Sequence, residues 1–494
     1  MQDYTQNHLL NCLTRACAPD DVFATDAGRV WTYGEILALA AQIGGVLLAQ
    51  GVQPGDRVAA QVEKSLPVLA LYLGCVQVGA VYLPLNMGYT KGELGFFITD
   101  AAPAVIVTDP SRVGLMAELT PTIPVLTLDS AGQGSIRADA APAPVTPRGA
   151  EDLAAILYTS GTTGQPKGAM LSHRALASNA AVLAETWQVT ADDRLIHALP
   201  IFHTHGLFVA TNTLMAAGGS LIWHPKFDPA RILADMPRAT MLMGVPTFYT
   251  RLLEAGNLDA ARTMRLFISG SAPLLAQTHA DFQAHTGQLI LERYGMTECN
   301  MNTSNPYNGA RRAGTVGVPL PGVEIRVMAE PGAVGAIHVK GPNLFSGYWQ
   351  KPEKTAEDMT PDGYFITGDL GRWDEAGYLE IVGRSKDLII SGGFNIYPKE
   401  VEAVLDDLPG IVESAVIGLP HPDLGEAVVA VLAVGSGGFT GDLAELLGES
   451  LARFKHPRAV FMRDSLPRNA MGKVQKAQLR AEYARYFETK PNQA

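Results

Sequence analysis

The sequence predicts an α/β fold built on mostly parallel sheets, and three observations carry that expectation. Short apolar runs alternate with helical ones through the first 130 or so residues, several later strands end in clusters of Gly, Ser and Thr, and no internal repeat or heptad pattern competes. A chain of 494 residues, 47% hydrophobic and 18% charged, is an ordinary globular protein of roughly three domain-sized units.

Taken in order, residues 36–50 place small and apolar side chains at helical spacing, and the Gly51 to Asp56 stretch closes that helix as a turn. Residues 57–62 read as a strand, 65–79 as a helix and 80–85 as the next strand, with 105–108 and 124–128 continuing the alternation. Residues 140–150, which contain Pro142, Pro144 and Pro147, form a connector. Residues 152–159 then read as a buried strand and 168–173 as a second one.

Between those two strands runs Tyr158-Thr159-Ser160-Gly161-Thr162-Thr163-Gly164-Gln165-Pro166-Lys167-Gly168. Gly161 and Gly164 permit unusual backbone angles, Thr159, Ser160, Thr162 and Thr163 offer hydroxyls, and Lys167 adds a cation. Such a loop can wrap a polyphosphate in backbone N–H groups. Alone it reads as a flexible hairpin, and it is not a Walker A loop, because Gly168 rather than Ser or Thr follows Lys167.

Beyond it, residues 174–188 form a helix and 194–200 a strand running into Ile201-Phe202-His203-Thr204-His205-Gly206-Leu207. Two histidines two apart invite a metal reading, but no third ligand lies nearby, so both are assigned to hydrogen bonding or packing. Residues 239–249 form a strand turning at Pro246 into a helix that carries Arg251, and residues 266–273 and 292–298 are two further strands with polar ends. In open α/β sheets ligands sit at the carboxyl ends of strands, where these loops fall.

The formal charge of −11 argues against nucleic acid as a partner, although residues 451–494 hold ten Lys/Arg against three Asp/Glu. No apolar run is long enough for a membrane span, and the N-terminus lacks the basic-then-apolar order of a signal peptide. A cytoplasmic location is expected. Cys12, Cys17, Cys75 and Cys299 lack metal-ligand spacing and are expected as free thiols.

Five motifs in order, residues 158–168, Tyr294-Gly295-Met296-Thr297-Glu298, Thr367-Gly368-Asp369, Gly383-Arg384-Ser385-Lys386-Asp387 and the late Pro467 to Lys473, resemble the adenylate-forming superfamily of acyl-CoA synthetases, amino-acid adenylation domains and luciferases. Residues 201–206, 244–249, 269–274 and 292–298 are similar to malonyl-CoA synthetases. The resemblance implies a large N-terminal domain over residues 1–384, with stacked, mostly parallel sheets and a distorted barrel. A hinge at residues 385–386, centred on Lys386, would join it to a small mobile α+β domain over residues 387–494. It also implies two-step chemistry: a carboxylate attacks the α-phosphate of ATP, releasing pyrophosphate, and the CoA thiol then attacks the acyl adenylate.

Each step asks for fixed cations and donors more than for a protein nucleophile. By resemblance, Lys473 bridges the carboxylate and the α-phosphate, Thr297 offers a hydroxyl, and Glu298 holds Mg2+, an ion usually bound through few carboxylates plus phosphates. Thr159, Ser160, Gly161, Thr162, Thr163, Gly164 and Lys167 hold the phosphates, Asp369 and Arg384 the ribose, and Gly270, Ser271, Glu292 and Tyr294 the adenine side. Arg251 and Arg293 match the arginines that grip malonate, His203 its gate, and Thr204, Ser271 and Met301 the small pocket beside its α-carbon. Methylmalonate becomes a second substrate if Thr204 and Met301 leave room for a methyl group. Gly392, Gly393 and Phe394 match the pantetheine channel, with Arg453, Lys455 and Arg458 toward the CoA phosphates, while Lys399 opens an exposed helix. Small molecules are thus the expected partners. Ligation of another short acid, or loading of a separate carrier protein, is the alternative.

Overall fold

The computed structural model describes residues 2–137, 140–159, 166–435, 438–439, 441–448, 450–469 and 472–489. Ser160, Gly161, Thr162, Thr163 and Gly164 of the expected phosphate loop lie outside the described residues, as do Ala470 and Met471.

Two large sheets form the body of the N-terminal domain. One has six strands, in the spatial order Val125–Thr127, Val105–Thr108, Arg57–Gln61, Val81–Pro84, Leu153–Thr159 and Lys167–Ser172. It is parallel except at its last pair, Leu153–Thr159 with Lys167–Ser172, which is an antiparallel hairpin. The other has nine strands whose centre is parallel, with Arg194–His197, Met241–Gly244, Leu266–Ser269 and Ile290–Met296 side by side. Antiparallel strands finish both of its edges. The helix–strand alternation of the sequence therefore gives the parallel cores, while the antiparallel edges come from hairpins.

The Leu66–Val78 helix is buried along all 13 of its residues. Its Tyr72 ring lies 5.5 Å from Tyr82 of the six-stranded sheet and 5.8 Å from Phe208, beside the nine-stranded one. A helix apolar all round is one that neighbours cover on every side. It packs on the Tyr33–Ala49 helix through small residues, since a side chain added at Gly74 would lie 2.7 Å from the Ala40 carbonyl. A capping box of Thr32 and Glu35 starts that second helix.

Four antiparallel strands, Glu324–Met328, Gly335–Lys340, Phe365–Trp373 and Leu379–Arg384, stand where the distorted barrel is expected. After Asp387 comes a smaller five-stranded sheet with its own cores, dominated by the Ile411–His421 and Gly425–Val434 hairpin. The helices Pro398–Asp406 and Lys476–Tyr483 pack on that hairpin. No helix among the described residues is long and apolar enough to cross a membrane.

Candidate active site

The parallel strands Arg194–His197, Met241–Gly244, Leu266–Ser269 and Ile290–Met296 end side by side, and the residues that follow them form the floor of a cleft. Arg293, midway along Ile290–Met296, is 4% exposed, and its Nε and Nη2 have no hydrogen-bond partner among the described residues. Burial pulls its guanidinium down to about 9. Gly270 lies against it, because a side chain there would sit 2.4 Å from Arg293 Cζ. Ser271 is held at φ 72°, a strained angle for a residue with a side chain, and its Oγ lies 3.2 Å from His205 Nδ1. Thr204 and Met301 are both buried, and Thr204 Oγ1 has no hydrogen-bond partner among the described residues. His203 is pulled to about 3, by burial first and then by the Lys473 and Arg293 charges, which places all three in one electrostatic neighbourhood.

The nucleotide side is organised around Asp369. Tyr294 donates from its phenol to Asp369 Oδ2 at 2.5 Å, and Arg384 Nε lies 2.6 Å from Oδ1. Register explains the second contact, since Asp369 and Arg384 face each other across an antiparallel pair. Glu298 is buried, accepts from the Tyr348 hydroxyl at 3.2 Å, and has its carboxyl pKa raised by burial. Thr297 is half-buried beside it. Lys167 Nζ lies 3.6 Å from Asp358 Oδ2 and 4.2 Å from the Tyr348 ring centroid, and Thr159 Oγ1 donates to the Lys167 carbonyl at 3.4 Å. A single carboxylate with free oxygen capacity beside a phosphate loop suits magnesium, whose other ligands come from phosphate and water.

Lys473 reaches this cleft from the small domain. Its turn is held by Asn469, whose Oδ1 accepts from the Lys473 N–H at 3.0 Å, and by Gly472 at φ 74°. The Lys473 side chain is exposed, and it faces the Arg384, Asp369, Glu298 and Arg293 charges. Removal from open water and the Arg384 and Arg293 charges lower its pKa, against the pull of Asp369 and Glu298.

Residues 13–349 match the family model of the AMP-binding enzymes, and residues 400–473 match that of the AMP-binding enzyme C-terminal domain. The chain belongs to the AMP-binding enzyme family. It is 34% identical to a malonate–CoA ligase of Arabidopsis thaliana over 92% of this chain and 84% of that one. It is 35% identical to a feruloyl-CoA synthase of an Amycolatopsis species, over 94% and 96% of the two chains. Among solved structures, ATP-bound MatB from Rhodopseudomonas palustris is 53% identical and superposes with a TM-score of 0.95 over 98% of this chain and 99% of that one. The apo form of MatB, at the same identity and coverage, superposes at 0.84. The chain thus superposes more closely on the ATP-bound form than on the apo form.

Several residues of this AMP-binding enzyme stand apart from their expected surroundings. Arg251 is exposed on the Pro246–Ala255 helix and makes no hydrogen bond or ion pair among the described residues. It lies one turn beyond Thr247, whose Oγ1 is the atom nearest to Gly472 of the lysine turn, so it flanks the cleft without entering it. Glu292, expected beside adenine, accepts from the Gly314 N–H at 3.0 Å and lies 3.9 Å from His279 Nδ1. Gly270, expected in the same wall, borders Arg293. Lys399 does not open an exposed helix: it is half-buried, where burial lowers its pKa against the attraction of Glu292.

Gly392 and Gly393, both at positive φ, form a two-residue turn between Ile389–Ser391 and Phe394–Ile396, and the exposed Phe394 stacks on Phe454 at 4.5 Å. Lys455 pairs with Glu400. Lys386 lies in a single 3-10 turn, Ser385–Asp387, and is drawn to about 8 by partial burial and then by Arg384. Sequence reasoning missed the π-helix His205–Asn212, which is fully buried and begins directly after Thr204. Such helices often mark functional sites. The only signal for it was Gly206, where a side chain would meet the Pro200 carbonyl at 2.1 Å.

Proposed function

We propose that the chain ligates malonate to CoA in two ATP-dependent steps, through malonyl adenylate, yielding malonyl-CoA, AMP and pyrophosphate. The observation that carries this reading is Arg293: a guanidinium 4% exposed, with two nitrogens unpartnered, on the floor of a cleft entered by Lys473. A buried unpaired cation is costly unless an anion arrives to pair with it. Malonate brings two carboxylates, one to react and one for Arg293 to grip with two hydrogen bonds. The likeness to a malonate–CoA ligase supports the same substrate. The feruloyl-CoA synthase, equally similar overall, shows why the acid is argued from the pocket rather than from identity.

In the first step Lys473 draws the free carboxylate and the α-phosphate together and offsets charge as the new P–O bond forms and pyrophosphate leaves. Asp369 and Arg384 hold the ribose, Tyr294 fixes the Asp369 carboxylate, and Lys167, Thr159 and Thr297 with residues 160–164 contact phosphate. Glu298 would hold Mg2+, which when bound neutralises part of the phosphate charge. Burial of Thr204 and Met301, with the half-buried Ser271 beside His205, favours a small acid. Methylmalonate adds one methyl group, worth about 1–3 kcal/mol in such a pocket, and is the nearest competitor. Arg251 would approach the distal carboxylate from the rim and His203 would gate it.

For the second step the small domain, residues 387–494, turns about residues 385–386. Lys473 then leaves the cleft, and Gly392, Gly393 and Phe394 line the path of the CoA thiol. A cytoplasmic location accords with four free cysteines. Pyrophosphate and AMP release with ATP, magnesium and CoA across malonate, methylmalonate, succinate, acetate and octanoate tests the reading. Preference for malonate supports it, and preference for a monocarboxylate removes the acid assignment.

A further inference from the structure

Lys64 follows the Arg57–Gln61 strand of the six-stranded sheet, yet its ammonium group is inserted at the end of the nine-stranded one. Nζ donates to the carbonyl oxygens of His224 at 2.7 Å and His197 at 2.9 Å, and it lies 3.0 Å from His197 Nδ1. These contacts use all three ammonium protons. The group also sits 4.2 Å from the Trp223 ring centroid, and His197 stacks on the same ring at 4.9 Å.

A ring nitrogen that accepts from an ammonium carries no proton, so His197 holds its proton on Nε2. That nitrogen lies 2.8 Å from the carbonyl oxygen of Gly206 and donates to it. Gly206 belongs to the first turn of the π-helix and is pressed against Pro200, and its carbonyl also accepts from Thr211 Oγ1 at 3.1 Å. The Leu207 N–H donates to the His203 carbonyl at 2.9 Å, so the same turn carries His203, Thr204 and His205. The opposite tautomer would aim a lone pair at the Gly206 oxygen and push the turn away.

We propose that Lys64 is a positioning residue of the acid pocket: it holds His197 as the Nε2–H tautomer, whose hydrogen bond to Gly206 sets the turn bearing His203, Thr204 and His205. Burial and the neighbouring Lys64 charge keep His197 neutral, as the relay requires. The inference rests on the acid-binding reading of that pocket.

The test is a set of initial rates of pyrophosphate release, varying the acid at saturating ATP and then ATP at saturating acid, for Lys64→Met, His197→Asn and His197→Gln. The Gln amide nitrogen reaches the Nε2 position and keeps the bond to Gly206, whereas the Asn amide reaches only the Nδ1 position. Lys64→Met and His197→Asn are expected to raise the acid KM about tenfold or more with the ATP KM nearly unchanged, and His197→Gln to stay within about threefold of the parent enzyme on both. Equal rises in both KM values, a loss confined to kcat, or His197→Asn behaving as His197→Gln overturns the relay. If Lys64→Met does not fold, judged by thermal unfolding, the His197 pair decides. The parent enzyme is measured first and the relay is read on whichever acid it activates, so a wrong acid assignment appears there and a wrong relay only in the variants.

Discussion

A side chain added at Gly270 would lie 2.4 Å from the guanidinium carbon of Arg293. The glycine is thus the space into which Arg293 folds, and the pair forms one wall of the acid pocket. Gly270→Ala is expected to displace the guanidinium and raise the malonate KM about tenfold, leaving the ATP KM nearly unchanged. Steady-state rates with each substrate varied check this, and equal effects on both substrates contradict it.

Asp369 has one oxygen on Tyr294 and the other on Arg384. Asp369→Asn weakens both contacts and the proposed grip on the ribose, so the ATP Kd should rise about tenfold or more, with Tyr294→Phe showing a smaller rise of the same kind. Calorimetric titration with ATP in the absence of acid measures it.

Lys473→Ala should lower acid-dependent ATP–pyrophosphate exchange about 10²–10³-fold while ATP binding changes little. The sign of its pH dependence follows from its lowered pKa. The cation is lost at a pH below the ordinary lysine value of 10.5, so adenylation should fall along an alkaline limb that begins earlier than an ordinary lysine would give. Exchange measured against pH shows whether the limb is there.

In the small domain, burial pushes the Asp406 carboxyl up from 3.8 to about 7. The folded state therefore holds a proton that the unfolded chain releases, and stability is lost as pH rises through that interval. Asp406→Asn removes the dependence. Its stability advantage over the parent chain should grow by about 1–3 kcal/mol between pH 5 and pH 8, read from hydrogen exchange of the Ile411–His421 and Gly425–Val434 strands. A constant difference would count against the buried carboxyl.

The motifs that carry the family resemblance were legible in the sequence. The structure brings Lys473, Glu298, Asp369 and Arg384 into one electrostatic neighbourhood, with Asp369 and Arg384 opposite each other on an antiparallel strand pair. What was not legible needed tertiary geometry: Glu292 accepts from the Gly314 N–H, Arg251 is exposed on its helix, and Lys399, expected on an exposed helix, is half-buried near Glu292 of the large domain. The Lys64–His197 contact joins segments more than 130 positions apart, which no local periodicity reveals.

The most direct measurement compares the parent enzyme with Arg293→Met for malonate and acetate in pyrophosphate release, alongside thermal unfolding without ligands. The variant should lose malonate activation by about 10²-fold or more, keep whatever acetate activity the parent has, and unfold at a higher temperature. The last follows because a buried cation with unpartnered nitrogens gives way to an apolar side chain. Unchanged malonate turnover, or equal loss with both acids, would contradict the assignment of Arg293 to the second carboxylate.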